Sequence, residues 1–210
     1  MNTVLNTLIQ RFCQESKIEM PNIEALEETF KNQLSFREKW KNFEAWFEQH
    51  PTLEALEPYG FDLLLAHYIG SENSNLPEDY FESEEWADIE DEMGDRGSEW
   101  LNLLVYLEDC KMNEIEPELD DFLHDFLLVE EDEFQDEHEL YEPLIVLQGS
   151  IGEEADTLIN ACRAVDANEL GPLLTVLILF FNGEQDVPKL LNPLEAGLLA
   201  ASQLAQDKGL

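Results

Sequence analysis

Apolar residues recur every three or four positions along most of this chain, and this spacing limits the fold more than any other feature. Near the start, Val4, Leu5, Leu8, Ile9 and Phe12 mark one apolar face of a helix. The spacing returns between residues 119 and 127, where Asp120, Asp121 and Asp125 are expected to point away from the core face. The chain therefore predicts a series of amphipathic helices.

Several residues predict where these helices begin and end. Ser35 followed by Glu38 fits a capping box, and Asn192 fits the N-cap of the last helix. Pro117 is expected in the first turn of a helix, where its missing N–H has no intrahelical partner to lose. Gly70 is expected to end the helix that contains the apolar segment 61–69.

The segment 173–181 contains nine residues, of which only Thr175 is polar. Periodicity cannot separate a buried helix from a buried strand in such a run. A central helix is favoured, because no neighbouring segment alternates cleanly enough to be its strand partner. We therefore expect an all-α fold, a compact multi-helix globular bundle of about eight to ten helices with a strongly acidic surface.

We expect one helical domain over residues 1–210. Charge and hydropathy suggest a subdivision into a helical part (1–71), an acidic helical part (72–142) and an apolar helical part (143–210) that supplies much of the core.

The charge is concentrated in the middle of the chain. The sequence has 48 acidic and 11 basic residues, a formal net charge of −37, and residues 72–142 hold 28 of the acids against only Arg96 and Lys111. Such a field repels nucleic acid and anionic membranes and attracts basic partners. The sequence thus favours a non-enzymatic interaction protein that binds a basic protein, as a nucleic-acid mimic, an immunity protein or inhibitor, or a chaperone.

The acidic residues of the middle segment are the predicted partner-binding residues. They are Glu84, Glu85, Asp88, Glu90, Asp91, Glu92, Asp120, Asp121, Asp125, Glu130, Glu131, Asp132 and Glu133.

Two other functions fit the same composition. The first is a helical scaffold, or a homo-oligomer, whose charge serves solubility alone. The second is a hydrolase, carboxylate-based or metal-dependent, which would need a carboxyl group in an apolar pocket or a group of metal ligands. The segment from Asp88 to Glu99 approaches a calcium loop, but Met93 stands where the loop requires Gly. No cofactor is expected.

Cysteine usage and hydropathy suggest the compartment. Cys13, Cys110 and Cys162 are odd in number and widely spaced, which is typical of a reducing environment. The first residues lack the basic and small-residue pattern of a signal peptide, and no apolar run approaches the roughly 20 residues that span a bilayer. A cytoplasmic protein is expected.

Overall fold

The computed structural model describes residues 2–31, 34–72, 83, 86–87, 98–128 and 134–209. Within these ranges the chain forms ten α-helices and no strand, and the helices make a compact globular arrangement. The helices are α1 (Asn2–Ser16), α2 (Glu24–Lys31), α3 (Phe36–Gln49), α4 (Glu57–Glu72), α5 (Trp100–Asn113), α6 (Leu119–Leu127), α7 (Phe134–Leu147), α8 (Ala155–Ala164), α9 (Leu173–Phe181) and α10 (Pro193–Lys208). Three short 3₁₀-helices in the same ranges join them: η1 (Pro51–Leu56), η2 (Gln148–Ser150) and η3 (Asn168–Leu170). The all-helical prediction is confirmed.

Helix α9 lies at the centre of the C-terminal half. Every residue from Leu173 to Phe180 is buried, and α9 packs against α7, α8 and α10. A helix that is apolar on all sides must be covered on all sides, which explains this position. Each fully buried Leu or Ile side chain contributes about 1.5–3 kcal/mol. The preference for a helix over a strand in this segment is confirmed.

Helices α1 and α10 form the most extensive helix pair. Gly197 on α10 faces the backbone of α1, where an added Cβ would lie 3.1 Å from the carbonyl oxygen of Leu8. The missing side chain lets the two helices approach closely. Helix α10 also contacts α5, and the buried Trp100 indole donates to Ser202 Oγ at 2.9 Å across that contact.

An aromatic layer joins α3 to α4. Trp40, Phe43 and Phe47 are buried, and the Trp40 ring meets the edge of Phe61 at a centroid distance of 4.6 Å. Gly60 leaves room for this layer, because an added Cβ would lie 2.5 Å from the Phe43 ring. The aromatic side chains of α3 therefore form part of the core.

The predicted helix ends are right at two positions and wrong at two others. Ser35 and Asn192 cap α3 and α10, each in a complete capping box. Gly70, however, does not end α4, which continues to Glu72. Pro117 does not begin α6, which starts at Leu119 after an extended Glu118.

The reason for the late start of α6 is a tertiary contact. The Tyr106 hydroxyl accepts a hydrogen bond from the backbone N–H of Glu118 at 3.0 Å and donates one to its carbonyl at 3.1 Å. Both backbone groups of Glu118 are therefore used, and the residue stays extended at φ −124° and ψ 145°. Pro117 precedes the helix instead of opening it.

The three cysteines are buried as free thiols on α1, α5 and α8. In the ranges that the structure describes, no helix combines the length and apolar character needed to cross a membrane.

Candidate functional site: an acidic cleft

The start of α5, helix α7 and η3 enclose a cleft with a volume of about 750 Å³. Six carboxylates line it, together with Leu140 and Asn168. The six are Glu99, Asp136, Glu137, Glu139, Glu142 and Glu169. Four of them, Asp136, Glu139, Glu142 and Glu169, are exposed to solvent, whereas Glu99 and Glu137 are half-buried. None of the described residues that line this acidic cleft is Lys or Arg.

A proline on α7 explains why η3 forms one wall of the cleft. Pro143 lies inside α7 and lacks an N–H, so the carbonyl of Glu139 four residues earlier loses its intrahelical partner. The side-chain amide of Asn168 on η3 donates to this carbonyl at 2.8 Å. Asn168 adopts a left-handed conformation at φ 49°, which Asn tolerates better than most residues. The contact fixes η3 beside α7.

A hydrogen-bonded triad at Glu99 joins α5 to α7. The carboxylate oxygen Oε2 of Glu99 accepts from the Tyr141 hydroxyl at 2.6 Å and from the Asn102 amide at 2.6 Å. The Asn102 amide also donates to the Tyr141 hydroxyl at 2.8 Å. Burial, and then the neighbouring Glu99 carboxylate, raise the pKa of Tyr141 above its ordinary value. Tyr141 therefore keeps its proton and holds Glu99 at the cleft wall.

A second carboxyl group, Asp62, lies next to this triad and is completely buried on α4. Its Oδ1 accepts from the Ser98 N–H at 2.9 Å, and its Oδ2 accepts from the Ser98 hydroxyl. Burial raises the pKa of Asp62 to about 7, Ser98 offsets part of the rise, and Glu99 adds to it. Asp62 thus helps Ser98 hold the first turn of α5, where Ser98 Oγ also accepts from the Trp100 N–H at 3.2 Å.

The structure describes only three of the predicted partner-binding residues. Asp120, Asp121 and Asp125 are exposed on α6, as expected, but they do not line the acidic cleft. Asp120 instead accepts a hydrogen bond from the Gln148 side chain at 3.0 Å. The other ten lie outside the described residues: Glu84, Glu85, Asp88, Glu90, Asp91, Glu92, Glu130, Glu131, Asp132 and Glu133.

The sequence analysis missed the cleft residues themselves. Asp136, Glu137, Glu139 and Glu142 belong to the acidic middle segment, but their spacing alone does not show that η3 lies opposite them. The available signal for Asp62 is its position within the apolar segment 61–69, where a buried carboxyl group would need a hydrogen-bond partner.

Metal binding has little geometric basis in the described ranges. No three His, Cys, Asp or Glu residues there are grouped closely enough to hold a metal ion. The segment that approaches a calcium loop lies outside the described residues except for Ser98 and Glu99, and the Glu99 carboxylate accepts hydrogen bonds from Tyr141 and Asn102.

The comparisons with known proteins add no relative. No family model matches the chain, and no curated protein or solved structure matches it either.

Proposed function

We propose that this protein binds a basic protein partner and that the acidic cleft receives Lys or Arg side chains of that partner. The observation that carries the proposal is the set of six carboxylates around one concave surface, with no basic residue among the described lining residues. The sequence also contains no Lys or Arg between Lys111 and Arg163, so α6 and α7 contribute neither of these residues. Such a one-signed surface steers oppositely charged partners and discriminates against others.

The expected strength follows from the exposure of these carboxylates. A single exposed ion pair contributes only about 0.2–1 kcal/mol. Binding near 1 μM corresponds to about 8 kcal/mol, so several carboxylates must act together, with contacts of other kinds. The affinity is expected to fall steeply with salt, because exposed charges are screened within about 8 Å at physiological ionic strength.

The geometry supports binding better than carboxylate-based hydrolysis. A catalytic acid at neutral pH needs an apolar pocket that raises its pKa. Four of the six cleft carboxylates are instead exposed to solvent. Carboxylates that serve only solubility need not line a concave surface. A concave surface is needed where a side chain of a partner is to be bound.

The test uses two variants that change the net charge equally. The cleft variant carries Glu139→Gln, Glu142→Gln and Glu169→Gln. The control variant carries Glu19→Gln, Glu48→Gln and Glu54→Gln, at exposed positions that do not line the cleft.

The probe is a fluorescent peptide of Lys and Gly, titrated at 0.05 and 0.15 M salt while its anisotropy is measured. We expect the cleft variant to bind about tenfold more weakly than the original protein, since about 1.4 kcal/mol is lost. The control variant is expected to change the affinity no more than about twofold. Equal losses in the two variants would show that only the net charge matters, and the proposed site would be wrong.

A further inference from the structure

The sequence contains one Asn-Gly pair, Asn182–Gly183, and this pair follows the last residue of the central helix α9. An asparagine before glycine is chemically labile, because glycine has no side chain to shield its backbone nitrogen from the asparagine carboxamide. That nitrogen can attack the side-chain carbonyl carbon, and the carboxamide nitrogen is then lost as ammonia. The folded structure decides whether the two groups can meet.

The backbone at this pair ends α9 in a Schellman motif. The N–H of Gly183 donates to the carbonyl of Phe180 at 3.0 Å, and the N–H of Glu184 donates to the carbonyl of Leu179 at 3.2 Å. Gly183 adopts φ 74°, in the left-handed region that favours glycine. The residue that makes the pair labile is therefore also the residue that the helix end requires.

The conformation of Asn182 keeps the reacting atoms apart. Its backbone has φ −73° and ψ −8°, so the Gly183 nitrogen nearly eclipses the backbone nitrogen of Asn182. The ring that the reaction forms requires the Gly183 nitrogen to eclipse Cβ of Asn182 instead. The backbone must therefore rotate, and the hydrogen bond from Gly183 to Phe180 must break, before the new bond can form.

The side chain of Asn182 joins the end of α9 to the loop 151–154 between η2 and α8. Its Oδ1 accepts from the backbone N–H of Gly152 at 2.6 Å, and its Nδ2 donates to the carbonyl of Glu153 at 3.2 Å. Nδ2 also donates to the Glu184 carboxylate at 3.1 Å. The acceptor oxygen and the donor nitrogen of the carboxamide are thus both held by neighbouring groups.

We propose that Asn182 is a site of spontaneous deamidation that these contacts suppress in the folded protein, and that its conversion to aspartate releases the loop 151–154. In the reaction, the Gly183 nitrogen bonds to Cγ of Asn182 while the Cγ–Nδ2 bond breaks. The Gly183 amide proton passes through water to the departing nitrogen, which leaves as ammonia. Water then opens the cyclic imide and gives either aspartate or an isoaspartyl link.

The product cannot restore the contacts of Asn182. One carboxylate oxygen can still accept from Gly152, but the other has no N–H to donate to Glu153. It also lies where Nδ2 was bonded to the Glu184 carboxylate, and two like charges at this distance repel each other. An isoaspartyl link adds a methylene to the backbone and so breaks the Schellman pattern as well. An opening of the α9 end that leads to reaction is therefore irreversible.

The reaction rate tests the suppression without any substitution. The full chain is incubated at mildly alkaline pH in buffer and in concentrated urea, and deamidation at Asn182 is followed by peptide mapping with mass spectrometry. An isotope-labelled free peptide of residues 181–189, added to both samples, corrects for the effect of urea on the chemistry. We expect Asn182 to react about tenfold more slowly in the folded chain, because the reaction must wait for a local opening. Equal corrected rates would overturn the inference.

The variant Asn182→Asp tests the release of the loop. Amide hydrogen exchange in residues 151–154 is compared with that of the original protein and of Asn113→Asp, which adds the same charge at an exposed position on α5. We expect exchange to be about fivefold faster in Asn182→Asp and unchanged in the control. If Asn182→Asp does not fold, Asn182→Ser, which removes the same donors without adding charge, is measured with the same expectation. Unchanged exchange in the folded variant would show that the loop does not depend on the carboxamide.

Discussion

The buried carboxyl group of Asp62 leads to a prediction about stability and pH. Asp62 is completely buried, and the groups that act on its pKa include Ser98, the backbone N–H of Leu101 and Glu99, while Tyr59 lies near it on its own helix. Burial raises its pKa from 3.8 to about 7. Between these two values the folded protein keeps a proton that the unfolded chain releases. The stability of the fold therefore falls as the pH rises through this window, and the loss is complete above pH 7.

The magnitude follows from the size of the shift. A change of about three pKa units corresponds to about 4 kcal/mol, of which about 3 kcal/mol falls between pH 5 and pH 8. The substitution Asp62→Asn removes the titrating group and keeps a side-chain oxygen that can accept from Ser98. We expect the excess in the free energy of unfolding of the variant over the original protein to be about 3 kcal/mol larger at pH 8 than at pH 5.

The assay is urea denaturation at pH 5, 6, 7 and 8 at constant ionic strength. The control is Asp125→Asn, an exposed substitution that removes the same charge and so measures the general relief of self-repulsion. Its effect is expected to stay within about 0.5 kcal/mol at every pH. If Asp62→Asn and the original protein differ by the same amount at pH 5 and pH 8, Asp62 does not titrate in this window and the reasoning fails.

Two further substitutions test the packing around the site. Gly60→Ala places a Cβ against the Phe43 ring and is expected to cost about 1–3 kcal/mol in chemical denaturation, and an unchanged midpoint would contradict the close contact. Asn168→Ala leaves the Glu139 carbonyl without its protein partner and is expected to cost about 0.5–1.5 kcal/mol and to increase amide hydrogen exchange in η3. Unchanged exchange there would show that this hydrogen bond does not hold the cleft wall.

The sequence predicted the helices well because their signals are local. The capping box at Ser35 and the cap at Asn192 involve residues three positions apart. The segment 173–181 is almost entirely apolar, so its composition alone predicts that it is buried. The two wrong helix ends show the limit of local signals. Glu118 is held extended by Tyr106, twelve residues earlier, and no pattern around Pro117 reveals that contact.

The acidic cleft depends on contacts between distant parts of the chain. Pro143 leaves the Glu139 carbonyl without an intrahelical donor, and the Asn168 side chain donates to that carbonyl instead. Neither Pro143 nor Asn168 indicates this contact in the sequence. Tyr141 and Glu99 are 42 residues apart in the sequence and 2.6 Å apart in the structure. The sequence therefore predicts partner-binding acids in the middle segment, but it does not reveal that Glu99 and Glu169 lie beside α7.

The most direct test of the binding claim is a pull-down from a nuclease-treated lysate, washed at low salt and eluted with a salt gradient. The original protein, the cleft variant and the control variant defined above are compared. The account predicts a discrete basic protein that is retained by the original protein and the control after nonspecific basic proteins have been released, and that the cleft variant loses. If all three proteins release the same broad mixture of basic proteins at the same salt concentration, the acidic cleft is not a specific binding site.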